Sequence, residues 1–335
     1  MHDKKSEFLR NTENEQGRVN LRPLMFDDYI GQEKIKKQLK VFIEAAKIKK
    51  KPLPHTLLFG PPGLGKTTIA EILANELGKK IVFTSAPAIE KGGDLASLIM
   101  ELKNGDILFI DEIHALKKVF EELMYPAMED FSLDITVGGN GESKIMRIPT
   151  AEFTLIGATT RPGLLSNPFR DRFTITQGLE YYTISELELI IARSASLLSL
   201  KIENKATSEI ANRSRGTARV ANNLLKMVGD YAIVKNKGLI NYDVAKEALD
   251  DFDIDDIGLD VIDRKILHAM LYVYKNKPVG VKNLATYVGE DKETVESMVE
   301  PYLMQMGLLA RTDRGRMLTD LGISYVNEKL SSDTF

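Results

Sequence analysis

Residues 60–68 read GPPGLGKTT, and this stretch constrains the fold more than any other. It matches the pattern G-x-x-x-x-G-K-[ST], with the apolar run TLLFG before it and the helical run TIAEILANEL after it. Glycines let the backbone wrap around phosphate oxygens, and the N-terminus of the following helix adds partial positive charge. The pattern therefore predicts a phosphate-binding loop between a buried strand and a helix. In such a loop Lys66 reaches the β- and γ-phosphates of ATP, and the Thr67 hydroxyl binds Mg²⁺.

Three further apolar runs alternate with helical stretches, at residues 80–87, 106–112 and 152–160. Buried strands that alternate with helices predict a parallel sheet covered on both faces, and therefore an α/β domain. Polar residues follow two of these strands, at the sheet edge where such folds place their sites. There we expect Asp111 to hold Mg²⁺ through water and Glu112 to polarise an attacking water. Thr160, or the adjacent Thr159, is placed to hydrogen-bond the γ-phosphate or that water.

The remaining chain predicts three more regions. Residues 131–148 read as a β-hairpin with a loose tip at Gly138–Gly141, and Leu133, Ile135 and Val137 fall on one apolar face that invites a partner protein. Residues 183–254 read as an all-helical domain, and residues 255–335 as three helices followed by a β-wing, which is a winged helix. The ATPase domain then occupies residues 21–182, behind a polar and flexible N-terminus of 20 residues.

Composition limits the kinds of site and partner that the chain can have. The 335 residues contain no cysteine and four histidines, which excludes disulfides and thiolate metal sites. The net charge of −3 gives no general support for nucleic-acid binding, so any DNA contact must come from a local patch. The chain has no apolar run of membrane-spanning length and no signal-like N-terminus, so we expect a cytoplasmic protein with no membrane contact.

Together these motifs resemble the AAA+ ATPases, and more closely the RuvB family, the bacterial motors of Holliday-junction branch migration. The likeness runs from about Leu21 to about Leu318. It includes generic motifs, such as GPPGLGKTT and LFIDEIH, and the more specific runs YPAMEDF (125–131) and EPYLMQMGLLARTDRGR (300–316). It implies an ATP-dependent translocase on double-stranded DNA at four-way junctions. The expected assembly is a hexameric ring with the junction-recognition protein RuvA and a junction resolvase.

The resemblance also assigns roles to matching residues, with ATP or ADP and Mg²⁺ as the bound groups. Residues expected to contact the nucleotide are Leu21, Arg22 and Tyr182 on the adenine and ribose side, Gly60, Gly63, Gly65, Lys66, Thr67 and Thr68 around the phosphates, Arg219 as a second sensor, and Glu129, Asp130 and Phe131 across a subunit boundary. Arg172, and with less support Arg170, is identified as the arginine finger that completes a neighbouring subunit's site. Such an arginine contributes about 10³–10⁵ in rate in the related GTPases.

The hairpin and the wing receive roles from the same resemblance. The hairpin at about residues 131–148 is expected to dock RuvA. Arg311, Arg314 and Arg316 crowd the wing and are expected to contact DNA phosphates without reading bases.

Two other classes of protein stay open at this point. A clamp-loader or replication-initiator type of AAA+ protein would use ATP mainly as an assembly switch, and initiators also carry winged helices. A winged-helix regulator with a nucleotide-sensing domain is the non-enzyme alternative, although Glu112 and Arg172 count against it.

Overall fold

The computed structural model describes residues 19–137 and 144–331, except for the side chains of residues 135–137, 144 and 145. The predicted flexible N-terminus, apart from its last two residues, and the predicted hairpin tip lie outside the described residues. The chain divides into two compact units, Met1–Tyr181 and Tyr182–Phe335.

A five-stranded parallel sheet forms the centre of the first unit, with strand order β2-β3-β6-β1-β7. Its strands are β1 (Thr56–Phe59), β2 (Ile81–Ser85), β3 (Ile107–Asp111), β6 (Thr154–Thr159) and β7 (Ile175–Gly178). The parallel α/β sheet confirms the predicted fold class, and four of the strands are those that the sequence predicts. The fifth, β7, was missed because it is short and only its first residue is buried.

Helices surround this sheet and place the loops at its edge. The α-helices are Glu33–Lys49, Lys66–Leu77, Gly92–Met100, Lys118–Glu129 and Asn167–Arg170, and the 3₁₀ turns are Phe26–Asp28, Ala86–Ala88, Ile113–Ala115 and Pro162–Leu164. Their apolar faces pack on β1, β3 and β6, and side chains such as Leu108, Ile110 and Leu155 are completely buried between them. The burial on both faces explains why these strands are mostly apolar.

The predicted hairpin is present as β4 (Ser132–Val137) and β5 (Lys144–Pro149), which pair antiparallel. One expectation about its apolar face is wrong, because the Leu133 side chain is completely buried in the core of its own unit. Leu133 is therefore not available to a partner protein, and the side chains of Ile135 and Val137 lie outside the described residues. On β5, by contrast, Met146 is about half exposed.

The first part of the second unit is helical, as predicted. Its helices are Ile184–Leu197, Asn204–Asn212, Ala218–Lys235 and Tyr242–Asp251, and its two short strands, β8 (Lys201–Ile202) and β9 (Leu239–Ile240), pair parallel. Thr183 caps the first helix, since its hydroxyl accepts the Glu186 N–H while the Glu186 carboxylate accepts the Thr183 N–H.

The second part of this unit is a winged helix. It contains the α-helices Val261–His268, Val281–Val288, Lys292–Thr294, Glu300–Gln305 and Asp320–Lys329, the π-helical turns Ala269–Val273 and Val295–Val299, and the wing strands β10 (Leu309–Thr312) and β11 (Gly315–Leu318). The sequence predicted the three helices and the wing but not the final helix, which packs its Val326 into the same core.

Two arginines tie the helical part of the second unit to the winged helix. Arg213 is completely buried and pairs with Glu209 and Asp250 of the helical part at 2.6 Å, and its Nη2 lies 3.4 Å from Asp256, at the start of the winged-helix region. Arg215 pairs with the buried Asp263, whose pKa is raised to about 7 by burial although the charge of Arg215 opposes this. The two arginines of the segment RSRGT (residues 213–217) therefore link the helical part to the winged helix.

Candidate active site

The phosphate-binding loop lies between β1 and the helix Lys66–Leu77, as the sequence predicts. Gly60, Gly63 and Gly65 all have positive φ, and a Cβ at Gly60 would lie 2.6 Å from the Leu179 carbonyl oxygen. The Lys66 ammonium group donates to the carbonyls of Gly60 and Pro61 at 2.7 and 2.9 Å. The lysine is therefore held against the loop that it serves.

The order of the strands brings the other predicted residues to this loop. Strand β6 lies between β1 and β3, and its Thr159 is level with Phe59, the last residue before the loop. The Gly60 N–H donates to the Thr159 carbonyl at 3.2 Å, which fixes the start of the loop against the end of β6. Because all three strands are parallel, Asp111, Glu112 and Thr160 reach the same edge of the sheet as the loop.

At this edge the Glu112 carboxylate has two polar neighbours. The Thr160 hydroxyl donates to its Oε2 at 3.3 Å, and the His114 Nδ1 lies 3.2 Å from the same oxygen. The backbone of Glu112 is left-handed, with φ 47°, which turns the chain into the 3₁₀ turn Ile113–Ala115. Glu112 and Thr160 were predicted from the sequence and His114 was not, although it lies in the run LFIDEIH.

The residues predicted to hold Mg²⁺ fit that ion. Thr67 is half-buried in the first turn of the helix after the loop, where the backbone N–H groups have no partner within the helix. Asp111 ends β3, and its carboxylate accepts the Glu112 N–H at 2.9 Å. Within the described ranges no group of three or more His, Asp or Glu side chains is arranged to hold a metal ion. A sparse set of this kind suits Mg²⁺, which keeps several waters and binds substrate phosphates.

The residues predicted for the adenine and ribose side fall in both units. Leu21 and Arg22 precede the first helix of the first unit, and the Arg22 guanidinium pairs with Glu71 on the helix after the loop at 2.6 Å. Tyr182 opens the second unit, where its side chain is buried and its N–H donates to the Gly216 carbonyl. Arg219 is exposed in the first turn of the helix Ala218–Lys235, which Thr217 caps.

The predicted arginine finger lies beside residues that were predicted for the same subunit boundary. The Arg172 guanidinium stacks on the Tyr125 ring, 4.1 Å from its centroid, and pairs with Glu129 at 3.2 Å. Its Nη1 donates to the Pro168 carbonyl at 2.6 Å, so its direction is fixed by three separate contacts. Arg170 is exposed, and its Nη2 only approaches the Asn167 Oδ1 at 3.4 Å. The structure therefore brings Arg172 and Glu129 together and leaves Arg170 apart.

Asp130 and Phe131 follow Glu129 at the end of its helix. The Asp130 carboxylate lies 3.6 Å from the Arg147 guanidinium on β5. Phe131 adopts a left-handed φ of 49° and packs against the rings of His55 and Phe153. Asp130 and Phe131 therefore link the helix that ends at Glu129 to the hairpin.

The three wing arginines differ in their surroundings. Arg316 is 13% exposed and pairs with Glu300 at 2.5 Å and with Glu296 at 3.2 Å. Arg311 is half exposed but also pairs with Glu300, whose side chain is only 1% exposed. Arg314 is exposed, and within the described chain its side chain makes no ion pair or hydrogen bond. The sequence does not distinguish the three arginines, because Glu296 and Glu300, the carboxylates that pair with two of them, lie in the helical segment before the wing.

No helix of the described residues is long and apolar enough to cross a membrane.

Three family models match successive parts of the chain. The Holliday junction DNA helicase RuvB P-loop domain matches residues 21–179, the RuvB AAA lid domain matches residues 182–255, and the RuvB C-terminal winged helix domain matches residues 256–327.

Solved structures agree with these matches. Thermotoga maritima RuvB, described as a Holliday junction branch migration motor, is 46% identical, with 92% of this chain and 98% of that chain covered and a TM-score of 0.84. A mutant of the same protein is 47% identical, with 91% and 98% covered and a TM-score of 0.85. With its loop, sheet edge, helical domain and wing all matched in order, the chain belongs to the RuvB family of P-loop ATPases.

Proposed function

We propose that the chain hydrolyses ATP and uses the energy to drive branch migration of Holliday junctions, as a ring that works with a junction-recognition partner. The observation that carries this proposal is the convergence of the Lys66 loop, Asp111, Glu112 and Thr160 at one edge of a parallel sheet. A protein that only sensed nucleotide would have no need for a carboxylate at the position of Glu112.

Each residue at this edge has a defined task in hydrolysis. Lys66 leaves the loop carbonyls and binds the β- and γ-phosphates, and Thr160 turns its hydroxyl towards the γ-phosphate or the attacking water. Glu112 polarises that water as a general base. Thr67 and Asp111 would hold Mg²⁺, which neutralises phosphate charge when it is bound.

An arginine finger that acts on a neighbouring subunit explains why the chain would assemble into a ring. Tyr125 and Glu129 of the same subunit hold the Arg172 guanidinium in a fixed position. A fixed position suits an arginine that is presented to a neighbouring subunit. Positioned in trans, it would stabilise the charge that develops on the transferred phosphoryl group. Hydrolysis would then require assembly, and we propose a hexamer as the assembled form.

The DNA and protein partners belong to the same proposal. The wing, where Arg314 is exposed and makes no ion pair within the described residues, contacts the phosphates of double-stranded DNA, so the motor can move over any sequence. The hairpin Ser132–Pro149 docks RuvA. A junction resolvase joins the same complex, and the cytoplasm is its place of action.

The clamp-loader or replication-initiator alternative is not favoured. All three parts of the chain, including the helical domain and the winged helix, match RuvB models. The regulator alternative is not favoured either, because a carboxylate at the position of Glu112 and an arginine such as Arg172 suit hydrolysis and not nucleotide sensing alone.

The test is the ATP-dependent dissociation of a synthetic four-way junction, measured with and without RuvA. We expect the wild-type chain to dissociate the junction and the Glu112→Gln variant to bind ATP and DNA without dissociating it. Lys66→Ala should lose nucleotide binding itself. ATP hydrolysis without junction dissociation in the presence of RuvA would reject the branch-migration proposal while leaving the ATPase assignment in place.

A further inference from the structure

A histidine that the motifs do not assign lies against the predicted general base. The His114 Nδ1 lies 3.2 Å from the Glu112 Oε2 and 3.0 Å from the Thr159 Oγ1. The His114 side chain is 11% exposed, whereas the Glu112 side chain is 41% exposed. A largely buried group therefore contacts a carboxylate that reaches solvent.

One protonation of the imidazole ring suits both contacts. An ionised carboxylate only accepts hydrogen bonds, so a favourable contact with Glu112 requires a proton on Nδ1. The Thr159 hydroxyl oxygen can accept from the same N–H, and it also accepts the Arg161 backbone N–H at 2.9 Å. With the proton on Nδ1, His114 can donate to the Glu112 carboxylate or to the Thr159 hydroxyl at the end of β6.

The backbone around His114 is firmly held. Glu112 has a left-handed backbone, and the Ala115 N–H donates to the Glu112 carbonyl at 2.8 Å, which closes the turn that carries His114. Ile113 is completely buried and packs against Gly157, where a Cβ would lie 2.8 Å from the Ile113 Cδ1. Thr159 is also completely buried, at the end of a central strand. The imidazole is therefore fixed to the sheet at two points.

We propose that His114 is a positioning residue for ATP hydrolysis, which holds the Glu112 carboxylate in the direction of the attacking water. In the structure the Thr160 hydroxyl donates to Glu112 Oε2, and the His114 Nδ1 lies 3.2 Å from the same oxygen. When Thr160 turns to the γ-phosphate, as proposed above, His114 is the donor that stays. Glu112 Oε1 is then the oxygen that faces the water.

This inference rests on the proposed hydrolysis and predicts where a change will act. The contacts of His114 described above are with Glu112 and Thr159 and not with Lys66 or Thr67, so we expect its loss to leave ATP binding largely unchanged. It should lower the rate of the chemical step, because a misplaced base loses much of its effect over distances of about 1 Å. We expect His114→Ala to lower kcat by about 10- to 100-fold, with KM for ATP changed by less than about threefold.

The experiment measures steady-state ATP hydrolysis by the full chain with junction DNA and RuvA, together with the affinity for a non-hydrolysable ATP analogue. His114→Asn serves as the conservative variant, because its amide N–H lies close to the position of Nδ1–H. We expect His114→Asn to recover most of the lost kcat, and His114→Leu, which has similar volume and no donor, to behave like His114→Ala. If these substitutions acted only through folding, kcat would not depend on whether the replacement side chain keeps an N–H donor.

Several outcomes would overturn the inference. They are a kcat for His114→Ala equal to that of the wild type, a raised KM at unchanged kcat, and an Asn variant no better than the Leu variant. If the wild-type chain itself does not hydrolyse ATP under these conditions, the proposed function fails first. The two failures are therefore distinguishable.

Discussion

Replacement of Arg316 by methionine should destabilise the winged helix, whereas the same replacement at Arg314 should weaken DNA binding. Arg316 is 13% exposed and gives two hydrogen bonds to Glu300, a carboxylate that is 1% exposed. Removal of one partner from a buried ion pair costs about 3–5 kcal/mol, because the other charge stays buried. Arg311 still pairs with Glu300 at 2.6 Å after the change, so we place the cost near the lower limit, at about 3 kcal/mol.

Hydrogen–deuterium exchange of the full-length chain measures this cost where it occurs. The amides that pair β10 with β11 report the opening of the wing, and those of the first unit serve as an internal reference. A loss of about 3 kcal/mol corresponds to exchange roughly 100-fold faster in the wing, with no change in the reference amides. Arg314→Met is the matched control, since its side chain is exposed, and its cost should stay within about 0.5 kcal/mol.

The two variants should differ in DNA binding in the reverse order of their effects on stability, so that Arg314→Met has the larger effect. Each phosphate contact that is lost reduces the slope of log K against log salt by about 0.9. We expect that reduction for Arg314→Met, with similar losses on unrelated sequences. For Arg316→Met any weaker binding should follow from the fraction of wing that is open. Unchanged wing exchange together with a reduced salt slope in Arg316→Met would refute the structural role and return this arginine to direct phosphate contact.

Three further predictions concern the ring, the pH dependence and the packing. Arg172→Ala should abolish ATP hydrolysis with little effect on nucleotide binding, and mixing it with a Lys66→Ala chain should recover part of the activity, since each supplies what the other lacks. Burial lowers the pKa of His55 from its ordinary value of 6.5, so unfolding should take up a proton at low pH, and stability should fall as pH decreases below about 6.5. Gly322→Ala should destabilise the winged helix by about 1–3 kcal/mol despite the better helix propensity of alanine, because its Cβ would lie 2.1 Å from the Leu308 carbonyl oxygen.

Each of these predictions has its own control. Full hydrolysis by a dilute monomer would contradict the finger in trans. For His55 the control is His55→Gln, whose unfolding free energy should depend less on pH; equal pH profiles would show that the buried imidazole is not responsible. The matched control for Gly322 is Gly93→Ala, another helical position where a Cβ meets nothing within 4 Å and which should be stabilised by up to about 1 kcal/mol.

The local pattern of the chain was sufficient for most of the fold and for the centre of the candidate site. The loop and its flanking strand and helix are specified by residues that are adjacent in sequence, and so are Asp111 and Glu112 at the end of an apolar strand. Strand β7 has no such pattern, because its sequence ITQG is mostly polar and its structure comes from pairing with β1. The final helix of the winged helix was missed because its apolar pattern is weak, since only Gly322 and Val326 of Asp320–Lys329 are buried.

The sequence by itself determined that this chain has a phosphate loop, a paired acidic strand end and cationic segments, because glycine, lysine and apolar runs act over a few neighbouring residues. Only the tertiary structure decided which cations are exposed and which neighbours each site residue has. Glu300 neutralises Arg316 from 16 residues away, and Thr159 reaches His114 from 45 residues away. Contacts across such separations depend on how elements pack and on which charges packing removes from water, and a one-dimensional pattern does not record either.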